Sequence, residues 1–307
     1  MTATPGATAA TAATGAIYDL GYRRYDGPRL GRGHAIRSMY AHSLRTAFGI
    51  GRGGRSKIAP VILGILALIP AVAMVAALTL VARFGGGQAP ITQPIRYDTY
   101  ADTISTFVIL FCAAQAPELF GRDQRYGVLS LYFARALRRS DYALARIGGF
   151  VTAVFLLEIV PQVLLFLGRV LLSTDIPRAV GDDLPSVWPV LAQSALSAAL
   201  LGGLSMTVSA FTPRRAYAVA GIIALFIIPN IVAGIVVGLG SSAVGTWLTL
   251  LSPTTVLQGT NAVLFGVPQP SSLSSVDVPD AAYLAAALVG IVGTIAVSVR
   301  RLARLVA

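Results

Sequence analysis

The sequence predicts an all-α, polytopic membrane protein with six transmembrane helices, and two observations carry this prediction. The 307-residue chain is 55% hydrophobic and only 12% charged, whereas soluble domains are about 25% charged. It also contains long uncharged stretches, and a helix needs about 20 apolar residues to cross a bilayer. The composition argues against a soluble enzyme, and it excludes disorder for most of the chain because disordered segments are poor in apolar residues.

The six predicted spans lie between Lys57 and Arg300, two charged residues that bound the long apolar runs. The spans are residues 58–82, 97–117, 147–172, 188–211, 216–240 and 281–299 of a transmembrane domain at 58–305. Ahead of this domain we expect a disordered tail at 1–17 and a cytoplasmic segment at 18–57. The tail is rich in Ala, Thr and Gly and lacks the features of a signal peptide.

The basic residues are concentrated on one side of this predicted topology. The chain has 24 Lys and Arg against 13 Asp and Glu. Twenty of those 24 fall in segments that six spans place on the same side as both ends of the chain. Cytoplasmic loops carry such an excess, so we expect both termini in the cytoplasm. The membrane topology therefore accounts for the net charge of +11, and no nucleic-acid partner is needed to explain it. High Ala, Gly and Arg usage favours a bacterial source, hence a bacterial plasma membrane.

The segment before span one contains a predicted helix at 36–48. Its apolar residues recur at helical spacing, which predicts an amphipathic helix in the cytoplasmic interface. The residues of that face are Ile36, Met39, Tyr40, Leu44 and Phe48.

The glycine-rich segment Gly49–Ser56 matches two nucleotide-binding patterns by its letters alone. Both patterns require a strand before the glycines and a soluble helix after them. Here a helix-like segment precedes and a membrane span follows, so we interpret the segment as a flexible basic hinge at anionic headgroups.

Span three carries two charges, Glu158 and Arg169, in addition to Asp98 and Asp102 at one end of span two. Eleven residues separate Glu158 from Arg169, which puts them on one helix face but about 16 Å apart, too far to pair. Intramembrane charges usually serve a function, so Glu158 is either part of a polar pathway or a hydrogen-bonded acid packed against another span. Arg169 is expected to extend its head group to the membrane edge. The one cysteine, Cys112, is expected to be a buried small hydrophobe.

The stretch between spans five and six is uncharged and too long for one helix. No charged residue occurs from 216 to 276, and short apolar pieces of this kind favour external re-entrant helices at 241–276. A non-polar external loop is the alternative. Within span five, Gly234 and Gly238 form a small-residue pair suited to close helix packing, including packing between two copies.

The loop at 118–146 is short, basic and aromatic, so it is either a plain cytoplasmic anchor or a surface for a cytoplasmic partner. It contains a Pro-Glu-Leu at 117, a Gly-Arg-Asp at 121, a leucine and aromatic run, and an Arg-Ser-Asp-Tyr at 139. These four elements resemble the same loop in ABC-2 type permeases, the membrane subunits of type V ABC exporters. The segment at 22–32 also resembles the N-terminal signature of a bacterial subgroup, although Ala136-Leu137 stands where many members carry a proline.

The resemblance implies an export permease that works as a dimer of identical or homologous chains with two copies of a separate ABC ATPase. That partner binds ATP and Mg²⁺, so this chain has no cofactor, no metal and no catalytic residue of its own. The implied substrate is hydrophobic or amphiphilic. The residues implied to couple to the ATPase are Glu118, Arg122, Asp123, Arg125, Leu129, Tyr132, Phe133, Arg135, Arg138 and Arg139. The residues implied to line the substrate pathway are Phe107, Phe111, Gln115, Glu158, Phe226 and Asn230.

Two other functions are compatible with the sequence. An ion-driven secondary transporter usually carries several titratable groups at mid-membrane, and Glu158 alone supports it weakly. A membrane anchor or assembly subunit without transport activity is the other alternative. A membrane-embedded hydrolase is disfavoured because no Ser/His or metal-ligand set lies in the predicted spans.

Overall fold

The computed structural model divides the chain into residues 1–30 and a larger unit, Gly31–Ala307. It describes Gly27 and residues 30–84, 96–133, 137–173, 175–238, 247–269 and 278–304. All helices discussed below belong to the larger unit.

Every regular element in the described ranges is helical. The helices are α1 (Arg32–Ala47), α2 (Arg55–Phe84), α3 (Tyr97–Arg125), α4 (Leu129–Phe133), α5 (Arg139–Leu172), α6 (Ile176–Phe211), α7 (Arg215–Gly238), α8 (Pro253–Phe265) and α9 (Asp280–Arg304). A short 3₁₀ turn at Thr249–Leu251 precedes α8. Six of these helices, α2, α3, α5, α6, α7 and α9, are long and apolar enough to cross a membrane. The predicted all-helical, multi-pass class is confirmed.

The centre of the bundle is formed by α3, α5 and α6, which pack against one another. Small and polar residues on α6, including Ser194, Ser197 and Ser205, are buried there, which lets neighbouring helices approach closely. Helices α2, α7 and α9 leave most of their apolar surface exposed. Cys112 is buried, as the sequence predicts.

Hydroxyl groups line the contact between α6 and α9. Thr207 Oγ1 donates to the carbonyl of Gly203 in its own helix at 2.9 Å and lies 3.3 Å from the carbonyl of Thr294 on α9. The same hydroxyl is 2.9 Å from Ser298 Oγ. Each helix therefore supplies hydrogen-bond partners to the other.

Three spans are longer than their hydropathy predicts. Helix α3 continues through Pro117 to Arg125, α5 begins eight residues before 147, and α6 begins twelve residues before 188. The added turns carry charged residues that are paired with neighbouring helices. A hydropathy pattern ends at such residues although the backbone remains helical.

Helix α1 packs against α5. Tyr40 Oη donates to Thr152 Oγ1 at 2.8 Å, and Met39 and Ser43 are buried. At Gly149 an added Cβ would lie 2.7 Å from Ser43 Cβ and 2.8 Å from the backbone oxygen of Tyr40. The predicted apolar face is thus covered partly by α5, and the position of α1 at a membrane interface stays a prediction.

Part of the stretch predicted to be re-entrant is helical. Ser252 caps α8, accepting a hydrogen bond from the Thr255 amide at 3.3 Å. Asn261 Nδ2 donates to the carbonyl of Asp98 at 3.0 Å, which ties α8 to the start of α3. Residues 239–246 and 270–277 lie outside the described residues, and the re-entrant course stays a prediction.

Candidate functional site

A buried charged cluster joins the end of α3 to the start of α5. Asp123 Oδ2 accepts a hydrogen bond from Tyr142 Oη at 2.6 Å and forms an ion pair with Arg146. The guanidinium of Arg146 lies over the ring of Tyr142, 5.6 Å from its centroid. All three residues are buried. Because a buried charge is tolerated only when it is paired, this cluster fixes α3 against α5.

The ring of Tyr142 also holds the short helix α4 in place. The centroids of Tyr132 and Phe133 lie 5.6 Å and 5.8 Å from that of Tyr142, and Phe120 of α3 lies 6.0 Å away. Leu129 is buried beside them. One face of α4 is therefore packed against α3 and α5.

The other face of this segment is open. Tyr126 is 67% exposed and Leu131 is 68% exposed. Ser130, which directly precedes Leu131, is exposed as well. Two large side chains that are exposed on a braced segment can contact another protein without loss of internal packing.

Glu118 links two further elements to α3. Its Oε2 accepts from Arg52 of the α1–α2 connection at 2.9 Å, and its Oε1 accepts from Arg215 at the start of α7 at 2.9 Å. Near the same end of α3, Gln124 Nε2 donates to the carbonyl of Ala210 on α6 at 3.0 Å. The end of α3 is thereby connected to α6, α7 and the α1–α2 turn.

A bidentate ion pair connects the starts of α1 and α5. Arg32 Nε and Nη2 donate to the two oxygens of Asp141 at 2.7 Å and 2.6 Å. Donation to the carboxylate of Asp141 raises the pKa of Arg32 above its ordinary value. The backbone amide of Arg138 also donates to Asp141, at 3.1 Å, at the start of α5.

The residues predicted to couple to an ATPase fall into two groups. Glu118, Asp123 and Leu129 are engaged inside the chain, and Tyr132 and Phe133 are half-buried against Tyr142. The exposed ones are Arg122, Arg125 and Arg138, and Arg139 is partly exposed. Arg135 lies outside the described residues.

Sequence reasoning missed four residues of this site. Tyr142 and Arg146 are one helical turn apart on α5, a spacing that places them on one face and that offered a signal. Tyr126, at the end of α3, and Leu131, in the five-residue helix α4, gave none, since the sequence of so short a segment does not show which face is packed.

Three of the residues predicted for a substrate pathway, Phe107, Phe111 and Phe226, pack in one hydrophobic core of the single chain. Phe111 is buried and stacks 6.2 Å from Phe150, and Phe226 is buried as well. Phe107 is half-buried beside the same core. Asn230 is exposed on the outer side of α7. A pathway formed between two chains stays a prediction.

The predicted charge in span three is a hydrogen-bonded acid. Ser197 Oγ of α6 donates to Glu158 Oε1 at 2.7 Å, and Glu158 is only 2% exposed. One turn further along α5, Gln162 Nε2 donates to Ser194 Oγ at 3.0 Å. The geometry fits the packed-acid interpretation, and a pathway role for Glu158 stays a prediction.

At the far ends of the central helices, Arg169 takes part in a second ion pair. Its Nη2 lies 2.9 Å from Asp183 Oδ1 on α6, and its guanidinium lies 5.4 Å from the ring centroid of Tyr97 on α3. Its head group is thus paired with a buried carboxylate, in addition to being partly exposed. Asp183 belongs to the part of α6 that the predicted span left out.

Neither models of known protein families nor curated proteins gave a match to this chain.

Proposed function

We propose that this chain is the membrane subunit of an ATP-driven exporter of the ABC-2 permease type, moving a hydrophobic or amphiphilic substrate across a bacterial plasma membrane. The observation that supports it is the segment at 126–133, which exposes Tyr126 and Leu131 while its other face is held by Tyr142. The proposal rests also on the loop motifs at 117–142 and on the concentration of arginine at one end.

The contacts described above would transmit a displacement from a bound ATPase to the membrane helices. An ATPase that binds Tyr126 and Leu131 would move α4 as a rigid unit, because the inner face of α4 is packed on Tyr142. The Asp123–Arg146 pair would pass the displacement to α3 and α5. A partner that binds one conformation better than another shifts the population toward it, and rigid-body movement of helices is a common form of such a shift.

The energy source lies in the partner in this proposal. The sequence contains no Walker A, Walker B or signature segment of an ABC ATPase. Two ATPase subunits would bind ATP and Mg²⁺, and two permease chains would enclose the pathway. On α7 the positions of Gly234 and Gly238 have open space around them in the single chain, which suits contact with a second chain.

The test is co-purification from the native membrane in mild detergent. We expect an ABC ATPase to co-elute with the wild-type chain and to be reduced at least about tenfold by Tyr126→Ala/Leu131→Ala, because loss of central exposed anchors typically costs more than about 1–2 kcal/mol of binding. Quantitative mass spectrometry of the eluate measures the ratio.

The matched control is Leu184→Ala/Trp188→Ala. These residues are 60% and 73% exposed on α6, so the double variant removes similar apolar area elsewhere. An ATPase that remains bound to the Tyr126/Leu131 variant refutes the contact surface. A folded chain that co-elutes with no ATPase refutes the exporter and favours an anchor or an ion-driven transporter.

The ion-driven transporter is kept as a second candidate because of Glu158, an acid buried at the centre of the bundle. If Glu158 carries the coupling ion, Glu158→Gln should abolish transport and leave any partner ATPase activity normal, because the amide keeps the shape but does not ionise. In the exporter, we expect the variant to retain transport within about threefold, since a neutral amide can replace a hydrogen-bonded acid. Transport in proteoliposomes, with Gln162→Glu as a control for added charge, distinguishes the two.

A further inference from the structure

A large basic cavity lies between the α1–α2 connection and the end of α3. Its volume is about 1470 Å³. The side chains that line it include six arginines but only two carboxylates, Glu118 and Asp123, so its formal charge is +4 with His42 neutral. The arginines are Arg45, Arg52, Arg55, Arg122, Arg146 and Arg215.

Only part of this positive charge is neutralised inside the protein. Glu118 pairs with Arg52 and Arg215, and Asp123 pairs with Arg146. Among the residues that the structure describes, no carboxylate lies within ion-pair distance of Arg45, Arg55 or Arg122. The cavity thus has an excess of positive charge over the carboxylates that the structure describes.

Burial lowers the pKa of two groups that line the cavity. The pKa of His42 is lowered first by burial and then by the nearby charge of Arg146. The pKa of Arg52 is lowered by burial, against the opposing effect of Glu118, and Arg122 lowers it further. The basic groups of the cavity are therefore partly shielded from water.

The backbone makes one wall of the cavity accessible. The turn between α1 and α2 contributes Gly51, Gly53 and Gly54 to the lining. Gly51 has φ of +82°, and no heavy atom lies within 4 Å of where its Cβ would be. The three glycines of this wall leave room for a group of the size of a phosphate to approach the arginines.

An apolar surface begins directly beside the cavity. Ala59 of α2 belongs to the lining, and the next turns of α2 expose Val61, Ile62 and Ile65 by 53%, 50% and 54%. A ligand that fills both regions needs an anionic head and an apolar tail. Basic pockets beside transmembrane helices bind the head groups of anionic lipids in this way.

We propose that this cavity binds the phosphate group of an anionic phospholipid whose acyl chains lie along α2. The phosphate would contact Arg45, Arg55 and Arg122, for which the described part of the chain offers no carboxylate within ion-pair distance. The lipid would thereby tie the α1–α2 turn to the end of α3. The cavity shares Arg122 and Tyr126 with the predicted ATPase-coupling surface. The test below uses the purified chain without an ATPase, so its failure is distinguishable from failure of the proposed exporter function.

The test is native mass spectrometry of the purified chain with phosphatidylglycerol or phosphatidylcholine of identical acyl chains. We expect phosphatidylglycerol to be retained and phosphatidylcholine to be lost. Arg45→Gln/Arg55→Gln should weaken phosphatidylglycerol binding roughly 30-fold, given the usual contribution of two basic residues near an anionic surface. Neither residue belongs to the proposed ATPase-coupling set.

The matched control is Arg37→Gln/Arg300→Gln, which removes two exposed arginines that do not line the cavity. It should retain binding within about twofold. Equal retention of the two lipids, or equal loss in the two double variants, overturns the site. Glycerol phosphate and inorganic phosphate serve as soluble probes. If either displaces phosphatidylglycerol at equal concentration, the ligand is a free phosphate and the assignment to a lipid is wrong.

Discussion

Replacing Asp123 with alanine is expected to lower the free energy of unfolding by about 3–5 kcal/mol, because the change leaves the charge of Arg146 buried without a counterion. Arg146 is only 2% exposed, so its guanidinium is poorly hydrated and depends on Asp123 for its counterion. The hydroxyl of Tyr142 loses its acceptor at the same time. Unfolding of the purified chain by SDS in mixed micelles measures the difference.

The control for this experiment is Asp182→Ala, which removes a carboxylate of the same kind from an exposed position. It should change the free energy of unfolding by less than about 0.5 kcal/mol. The double variant Asp123→Leu/Arg146→Met should recover most of the stability, since an apolar pair of similar volume often replaces a buried ion pair without loss. A single variant Asp123→Ala as stable as Asp182→Ala contradicts the structural role of the pair.

Gly149→Ala is expected to detach α1 from α5. The added methyl group would meet Ser43 Cβ at 2.7 Å and the backbone oxygen of Tyr40 at 2.8 Å, and a backbone atom cannot turn aside as a side chain can. Overpacking of this kind costs about 1–3 kcal/mol. Hydrogen exchange at the amides of α1 should therefore become faster by about tenfold or more.

The adjacent residue supplies a matched control. A Cβ at Gly148 would lie 3.7 Å from the ring of Tyr40, which is ordinary contact. Gly148→Ala should leave exchange in α1 unchanged or slower, because alanine favours a helix by up to about 1 kcal/mol relative to glycine. Faster exchange in both variants, or in neither, would show that the close approach at Gly149 does not hold α1.

The existence of the six spans was predictable from the long apolar runs of the sequence, but the positions of their ends were not. Predicted span two ends at Glu118 and predicted span three begins after Arg146, because a charged residue considered alone is costly in an apolar environment. Once Glu118, Asp123 and Arg146 are paired, they are accommodated in helices that extend about two turns beyond those limits. Asp183, which the prediction also left outside its span, lies within α6 and is paired with Arg169 of α5. Three-dimensional packing decides which charged residues form pairs, and these pairs cannot be deduced from the spacing of the residues along the chain.

The candidate site was predicted in its location and only partly in its residues. The aromatic and basic content of 118–146 indicated where the chain is unusual. Tyr132 and Phe133 were expected to face a partner, yet they contact Tyr142. Tyr126 and Leu131 face outward instead. In a short helix an aromatic residue can lie on either the packed or the exposed face. Contact with the ring of Tyr142, a residue of another helix, determines which face of α4 is packed.

The hydroxyl contacts between α6 and α9 have a mechanical consequence. The hydroxyl of Thr207 has a carbonyl acceptor in each helix, Gly203 in its own and Thr294 in α9. It can therefore lose one of these hydrogen bonds and keep the other. A small displacement of α9 along α6 therefore leaves no polar group unsatisfied. The joint between α3 and α5 is different, because a charge that leaves Asp123 has no substitute nearby. The bundle thus combines a contact between α6 and α9 in which one hydroxyl has several partners with a contact between α3 and α5 that depends on one buried ion pair.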